Sequence, residues 1–248
     1  MALANKHQIF VIEDVAQALG SEYNGEKLGT FGTIGCTSFF PTKNLACFGD
    51  GGAVFTRDQS LANKIKMLAN HGQQKKYDHQ YVGVNSRLDT LQAAILCHQL
   101  TQLEVNIDRK IALAQHYNEG LKSLNIDIPV KREYTKHSFN QYCIVLESAS
   151  QRDQLKAYLA YHDIATMIYY SQPNHLQQAL WGKLAGKAHC VLAPAHIGKA
   201  AGGIGGGAHE VAQGAEIVSL GFNTPSENLH YPEPPALRVH HHLTIPIR

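Results

Sequence analysis

The run from Thr37 to Gly52, TSFFPTKNLACFGDGG, constrains this 248-residue chain more than any other stretch. Cys36 to Phe40 predicts a short apolar strand, and Pro41 ends it because proline has no N–H to give to a ladder. The glycines at 49, 51 and 52 predict a tight reversal into a second strand, Ala53 to Thr56, through positive φ that other residues avoid. The chain must therefore build a sheet on both sides of this loop. The loop carries one lysine, Lys43, with no acid before Asp50. Among apolar neighbours an ammonium is disfavoured by desolvation, which frees the amine as a nucleophile toward a carbonyl. A lysine that merely snorkels from its loop into water is the ordinary alternative.

A second feature sits upstream. In IFVIEDVAQALG, Ile9 to Ile12 predict a buried strand, with Glu13 and Asp14 at its carboxyl end, where open α/β sheets place their ligands. A buried carboxylate needs a cation or it takes up a proton. The protonated pyridine nitrogen of pyridoxal 5'-phosphate is such a cation, and beside an aspartate it makes the ring an electron sink. Asp14 as cap of a helix from Val15 to Leu19 is an equal alternative. Lys43 and Asp14 together favour the cofactor.

The segments VIEDVAQALG, SFFPTKNL, GDGGAVFT, NHG and VGVNSRLDTLQAAIL occur in that order within roughly residues 3 to 180. This series resembles the DegT/StrS family of pyridoxal phosphate-dependent sugar aminotransferases, which act on nucleotide-linked keto-sugars. GVNSRLDTLQAAIL with CTSFFPTK is most similar to the branch that aminates the 3-keto group of a UDP-linked N-acetylated hexuronate. The resemblance implies that Lys43 is the Schiff-base lysine and proton shuttle and that Asp14 holds the pyridine nitrogen. It implies that Gln17 lies near the ring and its phenolic oxygen, and that Ser38 binds the phosphate. Asn85 and Arg87 would reach across a homodimer interface, Asn85 to the partner's phosphate and Arg87 to the substrate or cofactor region, so that active sites are shared. The segment YYSQPNHLQQAL resembles a further family motif and makes His175 a substrate contact, although Ser171 and Asn174 depart from the pattern. An amino-acid donor, glutamate, and surface polysaccharide or related sugar biosynthesis are implied as well. From the residues alone, Ser38 reads equally as a strand hydroxyl, Asn85 as a turn residue after Gly83, and Arg87 as a surface partner of Asp89.

The implied fold class is α/β: a fold-type-I transferase with a partial large domain, built on a mixed or mostly parallel sheet, plus a small α+β carboxyl-terminal domain. Residues 1–124 are expected to form the partial large domain with a long connecting helix, residues 125–180 the small domain, and residues 181–248 a divergent, poorly ordered tail. The start at Met1 reads as a truncation, because in the family much of the large domain precedes this point. Within this frame Asp58 opens a helix with Leu61, Ile65 and Leu68 on one face, closed by His71-Gly72. GQQKKYDHQYVG reads as a polar loop. From Asp89 onward the apolar spacing predicts one long helix, or two with a break near Thr101. Gln141 to Leu146 is a predicted strand, Ser150 with Asp153 a capping box, and Ile164 to Tyr170 another strand.

A formal charge of +2 gives no case for nucleic acid, and the basic residues between 107 and 136 read as a solvated helix face. No apolar run approaches the ~20 residues of a membrane span, and no signal peptide is evident. Cysteines 36, 47, 97, 143 and 190 show no regular spacing, which argues for a reduced, cytoplasmic setting. Gly203, Gly205 and Ala208 match a dinucleotide fingerprint only loosely. Histidines 240–242 lack carboxylate or cysteine partners at ligand spacing, so no metal site is assigned. The chief rival reading is a non-catalytic fragment that at most associates with a related subunit. A dehydratase of the same family is disfavoured, since those enzymes replace the lysine with histidine.

Overall fold

A computed structural model describes residues 1–171, 177 and 178, and the backbone of 216–217 and 241–245. The chain divides into two compact units. One takes Met1–Ala112 and Lys131–Asn140, with Glu216–Ile217; the other takes Leu113–Val130, residues 141–171 with 177 and 178, and His241–Ile245. His175 and most of the tail lie outside the described residues.

The first unit opens with α1 (Ala2–Lys6) and β1 (Ile12–Asp14). The strand begins later than the apolar run suggested: Ile9 and Phe10 are 59% and 82% exposed and pair with no strand. Val15 to Leu19 is not a helix. It is a series of turns, with Ala18 N–H donating to Val15 O (3.0 Å) and Ser21 N–H to Ala18 O (2.9 Å). Gly20 turns the chain at φ +87°, outside the helical region, and a Cβ there would run into Ile107 Cδ1.

The hairpin β2 (Glu22–Tyr23) and β3 (Glu26–Lys27) follows, then β4 (Ile34–Ser38) and β5 (Gly52–Phe55). β4 lies parallel to β1, with Asp14 opposite Cys36, and antiparallel to β5, with Ser38 opposite Gly52. These strands end two residues before and one before the expected ones, a routine shift at element boundaries. Asp58 caps α2 (Gln59–Leu68) by accepting from Ser60 and Leu61 N–H at 2.8 and 3.0 Å. The expected polar loop instead folds back on itself as β6 (Gln73–Lys75) and β7 (Asp78–His79).

The helical run is broken, at Thr101-Gln102, into α3 (Thr90–Leu100) and α4 (Leu103–Leu121). β8 (Thr135–Lys136) joins the hairpin in a three-stranded sheet. The core of this unit gathers Phe39, Leu45 and Cys47 from the lysine loop with Leu96, Leu103 and Ile107 from the two helices. Burying such side chains contributes about 1.5–3 kcal/mol each, so the lysine loop is anchored through Phe39, Leu45 and Cys47.

In the second unit β9 (Tyr142–Leu146) is as expected, and Tyr142 is fully buried, stacked on Tyr117 from α4. α5 (Ala149–Tyr161) is capped by Ser148, which accepts from Gln151 N–H at 3.2 Å. The expected cap at Ser150 is therefore two residues late, because Ser150 lies within the helix and Ser148 has the extended backbone a cap needs. Residues 164–170 hold a single bridge at Met167 rather than a strand. β10 (Glu216–Ile217) completes the first unit's sheet in the order β10-β1-β4-β5, which is mixed as expected, and β11 (His241–Ile245) pairs antiparallel with β9. No helix is long and apolar enough to cross a membrane among the described residues.

Candidate active site

Asp14 ends β1 and Ser38 ends the neighbouring, parallel β4, so both sit at the carboxyl end of one strand pair. Asp14 Oδ1 accepts from Ala16 N–H at 2.9 Å, which fixes the carboxylate at the start of the turn. Ser38 Oγ accepts from Phe40 N–H at 3.2 Å and is half-buried. Cys36, opposite Asp14, has its thiol pKa pushed up by burial and further by the Asp14 charge.

Two residues beyond the strand the chain turns, with Lys43 N–H donating to Phe40 O at 2.9 Å. Lys43 is half-buried and stands on this turn. On its far side Cys47 N–H donates to Phe39 O at 2.8 Å, while the Cys47 thiol reaches Phe39 O and Gly49 O at 3.3 Å each. Gln92 of α3 clips Phe48 from both sides, accepting from its N–H and donating to its carbonyl at 2.8 Å. Lys43 thus lies at the apex of a loop whose two legs are tied together. Gln17 is half-buried on the turn after Asp14.

Asn85 and Arg87 belong to a different construction. The NHG segment and the VGVNSR segment form a clasp in which Asn70 bridges Asn85, His71 N–H donates to Val84 O (2.9 Å), Val84 N–H to Leu68 O (2.8 Å) and Ser86 N–H to Ala69 O (2.9 Å). Gly72, at φ +74°, admits this approach, since a Cβ there would run into Tyr81 O. Arg87 Nη1 donates to Asn70 Oδ1 at 2.6 Å, not to Asp89. Both residues are exposed; the Arg87 side chain bonds within the clasp, and Asn85 joins it through a main-chain bridge.

The sequence assigns no role to Asn44 or Lys110 and places Glu13 only at the end of its strand, yet all three shape the site. Glu13 takes three main-chain donors, Gly29 N–H on Oε2 (2.8 Å) and Phe31 and Gly32 N–H on Oε1 (2.8 and 2.6 Å), and so ties loop 28–32 to the strand that ends in Asp14. Asn44 donates to Leu19 O and Ser138 O and accepts from Lys110. Lys110 therefore turns inward from α4, against the expectation of a wholly solvated basic face. Lys136 does meet that expectation in part, pairing at the surface with Glu104 and Asp108 at 3.0 and 3.2 Å. Among the described residues no group of three or more His, Cys, Asp or Glu is placed to hold a metal ion.

Residues 1–197 match the DegT/DnrJ/EryC1/StrS aminotransferase family. A UDP-N-acetyl-3-dehydro-alpha-D-glucosamine 3-aminotransferase of Acidithiobacillus ferrooxidans is 44% identical over 193 residues, covering 78% of this chain and 51% of that protein. A UDP-2-acetamido-2-deoxy-3-oxo-D-glucuronate aminotransferase of Pseudomonas aeruginosa is 41% identical over 179 residues, 72% of this chain and 49% of that protein. Among solved structures, S. venezuelae DesV in complex with a ketimine intermediate superposes with a TM-score of 0.70 at 40% identity, over 75% of this chain and 49% of that one. The chain spans about half the length of the curated relatives it matches.

Proposed function

This chain belongs to the DegT/DnrJ/EryC1/StrS aminotransferase family, and from that premise we propose that it supplies the lysine-bearing half of a pyridoxal phosphate site that aminates a nucleotide-linked keto-sugar. The observation that carries the reading is the convergence of Asp14, Ser38 and the Lys43 loop at the carboxyl end of β1 and β4. This donor set suits the cofactor: a carboxylate for a pyridinium N–H, a hydroxyl for a phosphate oxygen and an amine for an aldehyde carbon. When bound, that group withdraws electrons from the substrate carbon and carries nitrogen from an amino donor, glutamate in this reading, to the sugar.

The chain's own residues do the rest. The Asp14 carboxylate, held by Ala16 N–H, accepts a hydrogen bond from the ring nitrogen and favours its positive charge. Gln17 lies toward the ring's phenolic oxygen, and Ser38 Oγ donates to phosphate. Lys43 Nζ would hold the group through its aldehyde carbon, with loss of water, and, once displaced by the donor's amine, would move a proton to or from the substrate carbon. Asn85 and Arg87, exposed on their clasp, reach to the site of a second copy in a homodimer, Asn85 to its phosphate and Arg87 to its substrate; their exposure supports that role. His175 is proposed as a substrate contact on the resemblance alone. The names of the relatives support a UDP- or dTDP-linked keto-sugar as substrate, in cytoplasmic synthesis of surface polysaccharide or a related sugar.

The alternative reading is that this chain retains no cofactor alone and serves only beside a related subunit. Incubation with pyridoxal phosphate, borohydride reduction and peptide mapping separates the two. The first reading expects an adduct on Lys43 that competing amines prevent, that is absent in Lys43→Ala and that is weakened in Asp14→Ala. Adducts scattered over surface lysines would refute it for this chain and favour the second.

A further inference from the structure

We infer that Asn44 is the positioning residue of the site, the side chain that sets where Lys43 stands relative to the Asp14 turn. The inference rests on the reading of Lys43 and Asp14 given above. Both must meet one rigid ring, the amine at one place and the carboxylate at another, and a misplacement of about 1 Å costs on the order of a hundredfold in rate.

Asn44 is the residue next to Lys43 and is half-buried. Its Nδ2 donates to Leu19 O at 3.3 Å and to Ser138 O at 3.4 Å, and its Oδ1 accepts from Lys110 Nζ at 2.8 Å. Leu19 closes the series of turns that starts at Asp14, so one amide joins the lysine loop to the aspartate turn. The second acceptor is equally fixed. Ser138 is fully buried, its N–H donates to Ser21 Oγ at 3.0 Å, and Ser21 Oγ–H donates to Ser138 Oγ at 2.9 Å.

Lys110 sets the orientation of the amide. Two carbonyls on one side and an ammonium on the other leave a single arrangement in which every bond has a donor and an acceptor. The bond from Lys110 is charge-assisted and therefore stronger than a neutral one, and burial lowers the Lys110 pKa. A leucine or serine at position 44 would fill space without joining the three segments. An aspartate would keep the Lys110 partner but turn a carboxylate toward two carbonyl oxygens. The lysine loop is thus held at Phe39 by Cys47 and at the aspartate turn by Asn44, with Lys43 between.

The test is competitive acylation of the cofactor-free chain with acetic anhydride across a pH series, each lysine read by peptide mapping against the exposed Lys64. In Asn44→Ala the rate at Lys43 relative to Lys64 is expected to rise roughly tenfold, the factor that about 1.4 kcal/mol of lost hydrogen bonding gives, and its pH profile to move away from that of the wild type. Lys110→Met, which leaves Asn44 in place, is expected to move both the same way by less, and it carries the test if Asn44→Ala does not fold. A lowered unfolding midpoint with the Lys43 profile unmoved would reduce Asn44 to a stabilising contact and overturn the inference. Borohydride mapping of the wild type with pyridoxal phosphate is run beside it. Lack of a Lys43 adduct there, with the acylation profile still moving in the variants, would remove the cofactor reading and leave the hold of Asn44 on Lys43 established.

Discussion

Replacing Glu13 by glutamine removes a charge without changing shape, and the structure permits the cost to be worked through. Oε1 accepts from Phe31 and Gly32 N–H and Oε2 from Gly29 N–H. A glutamine keeps the Oε1 pair if its amide oxygen takes that place, but its NH2 then faces the buried Gly29 N–H, donor against donor. Hydrogen bonds to a charged group contribute about 1.5–3 kcal/mol and neutral ones about 1. The lost bond therefore costs about 2 kcal/mol and the weakening of the other two about 1 each. Half-exposure of Glu13 reduces the total to roughly 3 kcal/mol. With a urea slope of about 2 kcal/mol per molar, typical of small proteins, the unfolding midpoint followed by circular dichroism should fall by about 1.5 M. The loop 28–32 should become the first point of proteolytic cleavage. A midpoint within about 0.3 M of wild type would mean that the three main-chain donors are satisfied by water as readily as by Glu13, and the account of this loop would fail.

Two further outcomes follow from the packing. The Tyr142 hydroxyl, which donates to Asn118 Oδ1 at 2.6 Å, has its pKa pushed up to about 12 by burial and further by Tyr117; the folded chain holds that proton more tightly than the unfolded one, so its contribution to stability is complete below pH 10 and is lost as pH rises through about 12. Tyr142→Phe should cost about 1 kcal/mol at neutral pH and flatten that alkaline loss, and urea midpoints that fall in parallel for both proteins would refute it. Ile107→Ala should cost about 2–5 kcal/mol, because Ile107 is 1% exposed in the cluster under the lysine loop. In that background Gly20→Ala should be less damaging than in wild type, since the side chain that its Cβ meets is gone; additive losses on thermal denaturation would contradict the packing described.

What the sequence makes legible is what local chemistry controls. Pro41 and the glycines at 49, 51 and 52 end one strand and start the next, and the structure has β4 and β5 on either side of the Lys43 loop. Asp58 at the start of α2 is read from side-chain type and spacing alone, and the structure decides for a break at Thr101 where the spacing allowed one helix or two. One misplacement comes from expecting burial of an apolar run without knowledge of its neighbours. Ile9 and Phe10 look like core strand and are exposed, whereas the strand proper includes the charged Glu13, whose charge is met by main-chain donors some sixteen to nineteen residues on. Val15 to Leu19 has helical composition, yet it makes only turns and Gly20 carries the chain off at positive φ. Asn44 and Lys110 are sixty-six positions apart, and no pattern within either segment announces that they meet. The polar segment after Gly72 reads as a loop because its hairpin is secured by main-chain bonds that composition does not record.

The clasp between NHG and VGVNSR has a consequence for how the family's surface can diversify. It closes the base of the β6–β7 hairpin through main-chain bonds from Leu68, Ala69 and His71 to Val84 and Ser86. The tip around Lys76 and Tyr77 hangs beyond that closure, exposed, and the entropy of lengthening a loop whose ends are already joined grows only slowly with its length. Residues can be added or exchanged at the tip while Arg87 keeps its bond to Asn70, so that a new outer rim evolves without disturbing the arginine at its root.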